Sequence, residues 1–300
     1  MQKSESPLPE NPVVEQLCTG VIWAEGPVWL PGEDAVLFSD VKGCKLYRWN
    51  KNKGLVVEKA YSHYSNGNYL DSEGCLISCE HGRRGISRTN PNGDCDILVD
   101  SFDGKRLNSP NDLVMKKDGT IWFTDPPYGI LGNDEGFQAN SQMIGCYVYR
   151  FDPNTGALDI MTTDVQRPNG LAFSPDESEL YVADMSIVEF PTKGRRELRR
   201  FSVDEEGNLG KGETHCVVEP GIPDGFRVDT KGNIFCSCDI GIKVFNPSGE
   251  YLGLIPVPER VSNCTFGGEN QDYLFITATT SLYGIALETQ GNQYTHLLDK

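Results

Sequence analysis

Four oxygen-bearing side chains recur in one local context along the chain: Glu25 in AEGPVW, Asn111 in SPNDLV, Asn169 in RPNGLAF and Asp224 in IPDGF. Carboxylate and amide oxygens are the donors that hard divalent cations take, with waters completing the shell. Two carboxylates would neutralise a dication. Any one of these motifs alone reads as a turn, because N-G, D-G and E-G are common turn dipeptides. Their recurrence at matching places in a repeat is what points to chemistry. Carboxylates brought together without a cation would repel, and one of them would hold its proton.

A bound cation of this kind polarises a carbonyl and activates a water, so no nucleophilic side chain is needed. The sequence has no G-x-S-x-G, and its four histidines, 63, 81, 215 and 296, form no H-x-x-x-H pair. A Ser-His-Asp hydrolase and a His-rich zinc hydrolase are therefore disfavoured. Asp224 is expected to act both as a ligand and as the proton acceptor for the attacking water. Asp125, in FTDPPYG, either orients that water or the substrate, or caps the turn before Pro126. His81, in CEHGRR, either touches the substrate or bonds to backbone, and the adjoining Arg83 and Arg84 either attract an anion or are solvated.

The elements that must position these residues are short. Windows with helical periodicity are almost absent, whereas β-branched and aromatic runs alternate with Gly, Asn, Asp and Pro clusters. One unit recurs six times, opening at Gly26-Pro27, Gly67-Asn68, Asn111-Asp112, Asn169-Gly170, Asp224-Gly225 and Asn263-Cys264, each followed by a turn and further strands. The sequence therefore predicts an all-β fold, a six-bladed β-propeller, in which the first strand of each blade lines the central channel and matching positions converge on the axis. A pair of β-sandwiches would not require the same signature six times. The long intervals between Asn111 and Asp224 predict extended loops on one face, placed to cover a substrate. Residues 1–13 are read as an extension and 14–300 as one propeller domain, with the 32 Gly and 18 Pro spread along the chain rather than gathered in a linker.

The net charge of −16, without a long basic run, excludes a nucleic-acid footprint and suits a cation in an acidic cleft. No stretch approaches the ~20 apolar residues of a membrane span, and the opening MQKSESPLPENP lacks an apolar signal core. A cytoplasmic protein is expected, or a periplasmic one if a signal peptide has been removed. The ten cysteines include no C-x-x-C and are read as reduced thiols, with Cys236 and Cys238 sharing one face of a strand as small hydrophobes.

The EGPVW, NDLV, RPNGLAFSPD, PDG and NCTFGG motifs, in order, resemble the senescence-marker-protein/gluconolactonase family, and CEHGRR with FTDPPYG resembles its bacterial gluconolactonase branch. The likeness runs from about Val14 to the C-terminus. It implies one divalent metal, calcium first and zinc, magnesium or manganese as the other candidates, ligated by Glu25, Asn169 and Asp224. Asn111 would reach the substrate and the metal's waters. The implied reaction is hydrolysis of a small sugar lactone, such as gluconolactone, to the aldonic acid, by a monomer or homodimer. One position departs from the family: where vertebrate members carry a sugar-contacting Arg two residues before the Asn, this chain has Ser109, with Arg106 nearby as a substitute. The particular sugar is left open. Two rival readings remain, an ester or phosphotriester hydrolase of paraoxonase type and a non-catalytic propeller stabilised by calcium.

Overall fold

The computed structural model describes residues 6–292. Its strands form six four-stranded antiparallel sheets, so the six repeats are six blades of a propeller. The inner strands are Ala24–Leu30, Ser65–Leu70, Leu113–Met115, Pro168–Phe173, Phe226–Val228 and Val261–Gly267, and neighbours touch around the whole ring. The last blade takes its outer strand, Glu15–Thr19, from the N-terminal side, paired with Ser281–Ala286. That pairing ties the two ends of the ring together and completes the last blade.

Local sequence explains the elements. In Lys116–Gly119 the D-G dipeptide closes a tight hairpin: Gly119 has φ of 89°, and its N–H donates to the Lys116 carbonyl at 2.9 Å. A side chain at that φ would be strained. Second strands such as Ile234–Cys238 are buried along their length, because they lie between neighbouring blades, while outer strands such as Gly54–Lys59 face solvent. Cys236 and Cys238 are both buried in that second strand, and all ten cysteines are free.

Blades are joined by aromatic pairs that recur at one place in the repeat. Trp122 meets Phe173 edge-on at 5.3 Å, Phe235 meets Phe266 edge-on at 5.2 Å, and Trp29 stacks on Phe275 at 5.3 Å. In each case a second strand packs on the inner strand of the adjoining blade. Burying one such ring stabilises the fold enough that truncation to Ala costs roughly 3–5 kcal/mol.

The inner strands are irregular at one level. Their pairing slips between Glu25 and Val28, Ser65 and Asn68, Pro168 and Leu171, and Val261 and Asn263. In the other two blades regular pairing begins only at Leu113 and Phe226, just after Asn111-Asp112 and Asp224-Gly225. A bulge frees a side chain from strict alternation and re-aims it. The long segments 125–147 and 185–196 follow the second strands of blades 3 and 4. They emerge at the same end of the channel as the bulges, since the Asn111 N–H donates to the Thr124 carbonyl at 2.9 Å. Among the described residues no helix is long and apolar enough to cross a membrane.

Candidate active site

The bulged level is a ring of six residues: Glu25, Asn66, Asn111, Asn169, Asp224 and Ser262. The blades meet here through backbone. Gly67 N–H donates to the Asn111 carbonyl and Gly225 N–H to the Ser262 carbonyl, each at 2.8 Å. Thr124 Oγ1 donates to the Asn169 carbonyl and Ser39 Oγ to the Asn66 carbonyl, also at 2.8 Å. This closeness explains the glycines. A Cβ at Gly26 would lie 1.9 Å from the Asn66 carbonyl oxygen, and one at Gly170 would lie 2.7 Å from that of Asp224.

The residue after each ring position is Gly in four blades and Asp112 or Asn263 in the other two. Those two side chains occupy the room the glycines leave. Asn263 Nδ2 donates to Asp112 Oδ2 at 3.3 Å and to Glu25 Oε2 at 3.4 Å, and the Arg227 guanidinium stands 3.4 Å from Asp112 Oδ2. The channel is thus plugged directly beside the ring by a buried, charge-compensated network.

Glu25, Asn111, Asn169 and Asp224 are all buried, at 4–7% exposure. Glu25 Oε2 also accepts the Gly26 N–H at 2.9 Å. Even so, burial, and then the Asp224 and Asp112 charges, push the Glu25 carboxyl well above the usual range. Burial likewise raises Asp224 to about 7: Arg260 opposes the shift, Asp112 and Glu135 add to it, and a hydrogen bond with Asn169 lowers it. Both carboxylates are costly as anions with protein partners alone. A dication would reverse that penalty, and the donor set of Glu25, Asn169 and Asp224 is entirely oxygen, which suits calcium, magnesium or manganese. The residues present therefore fit a divalent ion.

Segment 125–147 meets the ring through His81, whose two nitrogens face the Glu135 carbonyl and Asn66. Ser109 Oγ accepts the Gly129 N–H at 2.9 Å and donates to the Pro126 carbonyl at 2.6 Å. The turn carrying Tyr128 is thereby pinned. Lys42 Nζ, 3.4 Å from both Asp134 and Glu135, ties the segment to blade 1. Trp23 at this rim carries two cations near its ring, Lys42 at 5.3 Å and Arg260 at 5.6 Å.

The remaining sequence-derived residues fall at different places. Asp125 is fully buried and accepts the Asn108 N–H at 2.8 Å through Oδ2, while Oδ1 is buried without a partner. Burial pushes its carboxyl up to about 7, against hydrogen bonds from Asn108 and Ser109 and the Arg84 charge. His81 is buried with both nitrogens engaged, Nδ1 2.9 Å from the Glu135 carbonyl and Nε2 3.4 Å from Asn66 Nδ2. Burial lowers its pKa to about 4, so the ring is neutral and neither nitrogen is available to a sugar hydroxyl in this arrangement. Arg106 stands exposed on the hairpin pairing Ser101–Phe102 with Lys105–Arg106, its guanidinium on the Arg83 carbonyl. It is not brought to the ring, whereas Arg84 is the cation that acts on Asp125.

Sequence reasoning missed Asn66, Asp112, Asn263, Arg227 and Tyr128. Asn66 precedes Gly67 as Glu25 precedes Gly26, so the same residue-before-glycine signal marks it in the sequence. At the opposite channel mouth a cavity of about 180 Å³, lined by Tyr69, Met115, Phe173 and Arg227 among others, contains a single acid, Glu177. It lacks converging donors.

Fold and site together define a propeller with a buried, oxygen-rich axial site. Residues 23–280 match the family described as SMP-30/Gluconolactonase/LRE-like region, and the chain belongs to that family. It is 34% identical to a gluconolactonase of Zymomonas mobilis, over 93% of this chain and 82% of that one. It is 26% identical to a pentonolactonase of Haloferax volcanii, over 84% and 80%. The solved structure of a gluconolactonase from Xanthomonas campestris superposes with a TM-score of 0.87 at 37% identity, covering 94% of this chain and 91% of that one. A luciferin-regenerating enzyme, 19% identical with a TM-score of 0.77, shares the fold.

Proposed function

We propose that this protein is a metal-dependent lactonase that opens a sugar lactone to the aldonic acid, with one divalent ion, calcium first, held by Glu25, Asn169 and Asp224. The observation that carries the reading is the burial of two electrostatically strained carboxylates and an amide at equivalent points of three blades. The relatives named gluconolactonase and pentonolactonase over most of the chain support the substrate class.

The bound ion supplies Lewis acidity at the lactone carbonyl and charge compensation for the oxyanion. The protein does the rest. Asp224 receives the proton of the attacking water, since a carboxylate that would help hold the ion lies within reach of the waters in its shell. Asn111, on the same ring, offers its amide to a substrate hydroxyl. Asp125, buried behind Asn108 and Ser109, fixes the floor of segment 125–147. That segment excludes water from one side of the reacting carbonyl.

A pH-stat assay comparing aldono-1,5- and 1,4-lactones with an aryl ester and a phosphotriester tests this reading. Calcium-dependent turnover of the lactones, with the others slower, is expected. Phosphotriester turnover exceeding that of every lactone would favour the paraoxonase-type reading. A chelator-dependent melting temperature without turnover of any substrate would favour a structural calcium site.

A further inference from the structure

Tyr128 stands in segment 125–147, beside Gly129, which packs on the His81 that faces the ring residue Asn66, and its Oη is buried without a hydrogen-bond partner among the described residues. A buried phenol normally finds one. The backbone around it is held on three sides. Ser109 Oγ bonds both Pro126 and Gly129; His81 packs so closely that a Cβ on Gly129 would lie 2.5 Å from the His81 Cβ; and the Gly129 carbonyl leaves no room for a Cβ on Gly136, which would come within 2.1 Å. The backbone that carries the phenol is thus held while its hydroxyl is unsatisfied, and Asp224 on the ring acts on it electrostatically. Burial and that charge keep the phenol protonated, so its O–H is available to donate.

We infer that Tyr128 is a catalytic residue whose hydroxyl donates a hydrogen bond to the lactone carbonyl oxygen as it becomes the tetrahedral oxyanion, and that Ser109 is the residue positioning it. This rests on the lactonase reading. A donor fixed before substrate arrives stabilises the transition state without reorganising. It also gives Ser109 a purpose of its own: the position does not contact sugar but orients a neighbouring phenol.

The test is steady-state kinetics of Tyr128→Phe on the calcium-loaded protein, with aldonolactone as substrate and with calcium affinity and melting temperature measured alongside. The expected result is kcat lower by about 100-fold, with KM within about threefold and with calcium affinity and melting temperature unchanged. A cyclic phosphonate analogue of the lactone should bind the variant more weakly by a similar factor. Ser109→Ala should lower kcat by about tenfold, Ser109→Thr should restore it, and Ser109→Ala in the Tyr128→Phe background should add no further loss. A kcat for Tyr128→Phe within threefold of wild type, or a defect confined to KM, would overturn the assignment. So would a full further loss in the double variant. Failure of the wild type to turn over any lactone would instead overturn the lactonase reading itself.

Discussion

Asn263 Nδ2 lies 3.4 Å from Glu25 Oε2, a hydrogen bond between residues 238 positions apart that joins the last blade to the first beside the proposed cation site. The same amide also serves Asp112. Asn263→Ala removes the donor that eases both buried anions, so Glu25 competes less well for a cation against a proton. Calcium affinity measured by calorimetry at neutral pH should fall by about tenfold. An unchanged affinity would show that Asn263 only fills space.

The ring glycines are expected to be intolerant for a reason distinct from turn geometry. A Cβ on Gly225 would lie 2.0 Å from Asn263 Cγ, whereas one on Gly32, in the short 3₁₀ turn Pro31–Glu33, would meet nothing within 4 Å. Gly225→Ala should therefore cost about 1–3 kcal/mol in urea unfolding, with Gly32→Ala near wild type. Equal costs at the two positions would contradict close approach between blades.

This contrast also separates what the sequence made legible from what it did not. The six blades were readable because each repeats an apolar strand between turn residues, and Glu25, Asn169 and Asp224 because each precedes a glycine. The E-G, N-G and D-G pairs looked like turns, yet they mark the level where neighbouring backbones touch. Asp112 and Asn263 escaped notice as a pair because they stand where the other blades have glycine, and only the closed ring shows that the vacated room is filled from two blades 151 residues apart. Ser109 read as the absence of an arginine, but its two hydrogen bonds to segment 125–147 reveal a clamp. His81 read as a substrate contact or a backbone-bonded residue, and its Nδ1 faces the Glu135 carbonyl.

Asp125 gives a pH-dependent prediction. Its carboxyl rises from 3.8 to about 7 on folding, so its contribution to stability is fully present below pH 4 and is lost as pH rises through 7. Above that it is a buried anion with one oxygen unpaired. Asp125→Asn keeps an oxygen for the Asn108 N–H and does not titrate. Its melting temperature should exceed that of wild type at pH 8, by the equivalent of at most about 4 kcal/mol, with the gap closing toward pH 4. A gap independent of pH would refute the burial argument.

The ligand set can be tested residue by residue. Glu25→Gln and Asp224→Asn each remove one of the two charges that favour a dication, and each should weaken calcium binding by about 100-fold or more while leaving the metal-free fold as stable or more so, since a strained anion is gone. Calorimetry and chelator-treated melting curves would check both halves. A metal-free variant less stable than metal-free wild type would argue against strain at the ring.

The central claim, a divalent ion on the propeller axis that serves lactone opening, is tested most directly by pH-stat turnover of an aldonolactone on protein stripped by chelator and then titrated with calcium. The stripped protein is expected to match the spontaneous rate, and activity to return in proportion to calcium up to one equivalent per chain. Full activity in the stripped protein, or no activity with calcium, magnesium, manganese or zinc restored, would contradict it.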